Sequence, residues 1–168
     1  MAIQNKWIDA DVEAGKRGAA SKVSGGRTVA IAFTFEVAAA DSDTSIYKIA
    51  KLPANAIPLR AELYADASLG TSAFQLGLYK EDGTVADVDL FLASTDLTAG
   101  VAITAGANNG LTNLGGADPV AAVGQKIWEL LGLTVDTKKE AYILAITAPT
   151  TGAAAGTISG TFSYIVGA

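Results

Sequence analysis

The chain contains neither cysteine nor histidine. Without cysteine it has no disulfide framework, no thiolate zinc site and no cysteine nucleophile. Without histidine it lacks the commonest general base, the Ser-His-Asp constellation and nearly every catalytic zinc site. Ionised side chains are scarce as well, at 17% of residues against a usual ~25%. Long apolar runs are missing: none approaches the ~18 residues of a membrane-spanning helix. The leading MAIQNKWIDADVEAGKRG has no apolar segment of the kind that directs secretion, so the expectation is a soluble protein made in the cytoplasm, away from membranes. A formal net charge of −5 argues against a nucleic-acid partner.

Half of the 168 residues are hydrophobic, and much of that excess is alanine. The length suits one domain with a real core. Few charges remain to cover the outside of such a domain, which points to a surface that lies against neighbouring molecules. The alternative is an Ala-, Thr- and Gly-rich β-protein kept in solution by its hydroxyls.

Residues 1–27 differ from the rest. Lys6, Lys16, Arg17, Lys22 and Arg27 outnumber Asp9, Asp11 and Glu13, whereas the remainder is acidic. GKRGAASKVSGGR follows neither a two-residue nor a 3.6-residue period, so it reads as an extended arm that orders on a partner. Trp7 and Ile8 are its expected anchors, because an aromatic and a branched side chain can fill a pocket.

From Thr28 the pattern becomes strict alternation, the signature of a half-buried strand. In TVAIAFTFEV, Val29, Ile31, Phe33, Phe35 and Val37 share one face. AADSDTS is then a polar turn and SIYKIAKL a second strand. The two prolines of LPANAIP stop any ladder and force a bend or crossover. In IPLRAELYADA, Ile57, Leu59, Ala61, Leu63 and Ala65 are expected inward, with Arg60, Glu62, Tyr64 and Asp66 outward. SAFQLGLYK places Phe74, Leu76 and Leu78 on one face, and VDLFLAS continues as a strand or short helical turn. Residues 98–118 form a long loop with a short strand at Val101 to Thr104. DPVAAVGQKIWELLGL is the helical segment, capped by Asp118, with Pro119 in its first turn and Gly132 at its end. EAYILAIT and GTISGTFSYIV close the chain as strands, the latter with Ile158, Gly160, Phe162, Tyr164 and Val166 on one face. The expected fold is all-β: a Greek-key or jelly-roll-like β-sandwich over residues 28–168, with one short helix and the N-terminal arm of residues 1–27.

Four carboxylates, Glu81, Asp82, Asp87 and Asp89, crowd FQLGLYKEDGTVADVDLFLAS. An EF-hand loop started at Glu81 would put Gly83 too early and Leu92 where the bidentate Glu belongs. EDGT reads instead as a solvated hairpin turn, since Asp-Gly favours positive φ. Glu36 and Glu62 sit mid-strand on outward faces and would be neighbours if their strands paired. A glycosidase pair also needs a cleft with aromatic platforms, and the chain has two Trp in all. Neither phosphate-binding glycine motif is present. No catalytic, cofactor or metal constellation emerges, and the expectation is no enzyme and no cofactor.

IYKIAKLPANAIPLRAELYAD, FQLGLYKEDGTV, KIWELLGL and GTISGTFSYIV resemble the small β-sandwich virion proteins of tailed bacteriophages, most of all head decoration (cement) proteins. The resemblance spans roughly residues 28–168. It implies a non-enzymatic virion subunit that binds the outside of an assembled capsid and stabilises it. Its implied partners are the major capsid protein and copies of itself, as a trimer or dimer. Its implied place is the capsid surface. On this reading Trp7, Ile8, Lys16, Arg17, Lys22 and Arg27 of the arm spread over the shell. Two alternatives stand beside it. One is a carbohydrate- or receptor-binding module of a fibre or adhesin, using loop 98–118. The other is a tail or baseplate subunit.

Overall fold

The computed structural model describes residues 26–39, 41, 44–69, 73–97, 101–104, 124–134, 140–150 and 155–166. These residues form eight strands: β1 (Arg27–Val37), β2 (Ser45–Pro53), β3 (Ile57–Ala65), β4 (Ala73–Lys80), β5 (Val85–Thr95), β6 (Val101–Thr104), β7 (Ala141–Thr150) and β8 (Gly156–Val166). One sheet runs in the order β1-β8-β3-β6 and the other β2-β7-β4-β5. All pairings are antiparallel. Only β4 and β5 are neighbours in both chain and sheet; every other connection crosses from one sheet to the other. That alternation is the path of a jelly-roll-like sandwich, as the sequence leads one to expect.

Alternation explains the two inner faces. Phe33 of β1 lies opposite Gly160 of β8, Ile31 opposite Phe162 and Phe35 opposite Ile158, so the apolar faces of both strands coincide. They meet Leu52, Leu76, Leu78, Leu144 and Ile146 of the other sheet in one core. Each fully buried aliphatic or aromatic side chain there contributes about 1.5–3 kcal/mol. Phe91 and Phe162 cross the midplane with ring centroids 5.2 Å apart.

Three details depart from simple alternation. Leu59 is the extra residue of a bulge, so Pro58 rather than Leu59 lies opposite Tyr164, and Leu59, expected inward, is only half-buried while Pro58 is buried. Ile57 is still buried, but outside the main cluster. In β5, Leu92 pairs with Leu76 and Asp87 with Leu78, so five residues of β5 span two of β4. The surplus tucks both Leu90 and Phe91 fully inside, where strict alternation would expose one of them. The third departure is the helix. Among the described residues it is a single turn, α1 (Ile127–Leu130), with Gly124 to Lys126 before it not helical; Asp118 and Pro119 lie outside the described residues. Gly124 takes a left-handed φ of 79°, and Ile127 and Trp128 donate their N–H groups to Ala56 O and Ala54 O in the Pro53 bend. The helix therefore starts where that bend supplies acceptors. Its end is as expected: Gly132 has φ 70°, and the Gly132 and Leu133 N–H groups bond Glu129 O and Trp128 O, a Schellman ending.

The turn after β1 is closed by Asp41. Its Oδ2 accepts the Ala38 N–H at 2.9 Å and the Tyr47 hydroxyl at 2.8 Å. The backbone donor first, and the phenol second, hold its carboxyl below its ordinary 3.8. A depressed folded value stabilises above 3.8 and ceases to do so as pH falls through the folded value. Tyr47 is pushed up to about 12, mainly by burial and then by Asp41, so its contribution fades as pH rises from 10.0 toward that value. In thermal melts across pH, Asp41→Asn is expected to lie below the parent at neutral pH and converge with it in acid. Tyr47→Phe should escape the alkaline decline between pH 10.0 and about 12.

Candidate functional site

The four carboxylates near Gly83 do not converge. Lys80 donates its N–H to Thr84 O at 2.8 Å and Gly83 donates to Lys80 O at 3.0 Å, making a three-residue hairpin loop. Only Gly83 of the Asp-Gly pair takes positive φ, at 89°. Asp82 Oδ1 accepts the Thr84 hydroxyl and N–H at 2.7 and 2.9 Å, and these bonds lower its pKa. Glu81 reaches Lys51 at 2.6 Å on the open surface. Asp87 has its pKa raised, chiefly by burial, and its Oδ1 accepts the Asp89 N–H at 3.2 Å. These contacts are those of a turn and a bulge. Among the described residues no three acidic side chains gather in a way that could hold a metal ion.

Glu36 and Glu62 are not neighbours. β8 lies between their strands: Glu36 pairs with Thr157 and Glu62 with Thr161, four residues further along. Glu36 accepts the Thr157 hydroxyl at 2.8 Å, and Glu62 is paired with Arg60. They cannot share a glycosidic bond.

What the strands do assemble is a broad face of small and hydroxyl side chains whose charges, Arg60 and Glu62, are paired with each other. On the outside of β1, β8 and β3, the cross-strand rows join Ala30 to Ser163 and Arg60, Ala32 to Thr161 and Glu62, and Thr34 to Ser159 and Tyr64. Thr34 Oγ1 and Ser159 Oγ are 3.0 Å apart, and Ser163 Oγ donates to Arg60 O at 3.2 Å. Ala32, Thr34, Glu62, Tyr64, Ser159 and Thr161 line an open hollow of about 400 Å³. Tyr64 stands 56% exposed beside it. Hydroxyls, methyls, one aromatic ring and the Glu62 carboxylate, itself paired with Arg60, make up this surface. The Thr/Ser alternation of β8 is legible in the sequence, but its merger with Ala32, Thr34 and Tyr64 follows from strand order.

Of the expected arm residues, Trp7, Ile8, Lys16, Arg17 and Lys22 lie outside the described residues, as does most of loop 98–118. Arg27 opens β1 and is exposed.

No protein-family model matches the chain, and no curated protein matches it. Among solved structures, it is similar to a chain of "Capsid of Ralstonia phage GP4", with a TM-score of 0.54 and 17% identity over 84% of this chain and 86% of that one. It is also similar to a chain of "Cyanophage Pam1 capsid asymmetric unit" (TM-score 0.48, 14% identity, 99% of this chain and 100% of that one). A third is a chain of "Acidic stable capsid structure of Helicobacter pylori bacteriophage KHP30" (TM-score 0.39, 12% identity, 84% and 93%). The first of these likenesses is a shared fold.

Proposed function

We propose that this chain is a non-enzymatic virion structural protein of a tailed bacteriophage that binds the outside of the assembled capsid and braces it. The observation that carries the reading is the fold shared with a chain of the Ralstonia phage GP4 capsid. The hydroxyl-rich face of β1, β8 and β3, with Arg60 and Glu62 neutralising each other, supports it, because such a face is suited to being covered. In this reading the partners are the major capsid protein and further copies of the chain. The arm reaches the shell through Trp7 and Ile8, with Lys16, Arg17, Lys22 and Arg27 meeting acidic surface. Many weak contacts repeated around a symmetric shell then sum to tight attachment.

The test is to mix the purified chain with shells assembled from the same virus's capsid protein and sediment them. Full-length chain is expected to co-sediment at a fixed ratio to capsid protein and to raise the temperature at which shells disrupt. Removal of residues 1–25 is expected to leave a folded sandwich whose co-sedimentation falls at least about tenfold, the loss of one anchored contact set of roughly 1.4 kcal/mol or more per copy. Full-length chain that ignores the shells would overturn the capsid role; equal binding by the truncated chain would overturn the role of the arm.

A further inference from the structure

The four sheet edges are not alike. β6 is only four residues long. β5 carries Asp87 and Asp89 and breaks register with β4 three times. β2 has exposed Lys48 and Lys51, a bulge between Lys48 and Ala50, and a terminal proline, Pro53. Short length, charge, bulges and proline are the devices by which folded proteins keep sheet edges from pairing with other chains. β1 has none of them along its centre. It runs eleven residues in unbroken register with β8, and from Thr28 to Phe35 it carries no charge and no proline. Among the described residues nothing pairs with its other side. Its inward side chains Val29, Ile31, Phe33 and Phe35 are only partly buried, whereas Ile158 and Phe162 on adjacent β8 are 0% and 1% exposed.

We infer that β1 is an open edge that pairs antiparallel with β1 of a second copy, joining two four-stranded sheets into one of eight strands around a two-fold axis. Charge selects the occupant and its direction. Arg27 stands at one end of the strand and Glu36 near the other, with neutral residues between. Antiparallel self-pairing keeps the two Arg27 side chains at opposite ends of the seam, and the two Glu36 likewise, while parallel pairing would set like charges side by side. Centred on Ala32, the pairing places Phe33 opposite Ile31 and Phe35 opposite Val29 on the inner face, favourable aromatic–branched pairs. Ala30 falls opposite Thr34 on the outer face, and Ala32 opposite its own copy. An isologous contact of this kind closes at two chains and cannot propagate. The hydroxyl-rich outer face would then run continuously across both copies. The inference goes beyond the capsid role and does not depend on it.

Ala32 is the residue to change, because it is exposed and its replacement leaves the core untouched. In sedimentation velocity, the full chain is expected at twice the mass of one copy. Ala32→Lys and Ala32→Glu, each of which sets like charges face to face at the axis, are expected to fall to the one-copy mass with unchanged far-UV circular dichroism. An equimolar mixture of the two is expected to return to the two-copy mass. Ala32→Cys gives a second readout in a chain with no native cysteine. Opposed Cα atoms in such a pair lie about 4.5–5.5 Å apart, within disulfide range, so mild oxidation should link two copies, whereas Ser94→Cys on β5 should not. A full chain that sediments as one copy at every accessible concentration overturns the inference, as does an assembly whose mass is indifferent to both charged variants. A truncation of residues 1–25 that turns a one-copy protein into a two-copy one also overturns it, and assigns the edge to the leading segment.

Discussion

Gly77→Ala is expected to cost about 3 kcal/mol or more, a large part of the ~5–15 kcal/mol that holds a domain together. A Cβ at this position would lie 2.2 Å from Asp87 O, 2.3 Å from Val88 C and 2.4 Å from Val88 O. All three are backbone atoms, so no side-chain rotation can make room. The obstacle arises because the surplus residues of β5 curl its backbone over β4 at this point. Gly83→Ala is the control. Nothing lies within 4 Å of its Cβ, and its positive φ of 89° is the only penalty, on the order of 1–2 kcal/mol. Urea denaturation of the parent and both variants checks the ranking. A Gly77→Ala protein no less stable than Gly83→Ala would mean that β5 does not take this path.

Phe91→Ala and Phe162→Ala are each expected to destabilise by about 3–5 kcal/mol, the cost of a lost aromatic ring plus the cavity it leaves. Both side chains are essentially sealed from solvent, at 0% and 1% exposure. They come from different sheets, and their rings touch in a tilted arrangement at 5.2 Å. Each single change therefore weakens the contact between the two layers. The double variant is expected to cost less than the sum, because the second truncation enlarges a cavity the first has already opened. Denaturation of the single and double variants measures this coupling. Strict additivity would place the rings out of contact.

The same two residues show how far the sequence can be read. Phe162 is legible as core, since it falls in phase with Ile158 and Tyr164 along β8. Phe91 is not, because Leu90, Phe91 and Leu92 are consecutive and alternation would turn one of them outward. A bulge that inserts three residues against β4 has no local signature in VADVDLFLAS. The helix divides in the same way. Its end at Gly132 is written in the chain by a glycine suited to left-handed φ. The turn at Ile127 takes its first acceptors from Ala54 and Ala56, more than seventy residues earlier, which no local pattern in GQKIWELL announces. The face of Thr, Ser and Ala was visible one strand at a time, but not as a surface.

The sequence by itself determined that cysteine and histidine chemistry is closed to this protein. It also determined which side of β1, β4 and β8 is apolar, and that EDGT turns the chain between β4 and β5. These are properties of single residues or of backbone alternation over a few positions. Only the tertiary structure decided that β8 separates Glu36 from Glu62, that β5 bends over Gly77, and that β1 is the end strand of its sheet among the described residues. Strand order is set by contacts between segments far apart in the chain, through closures whose entropy must be offset by burial elsewhere. No local pattern encodes that balance.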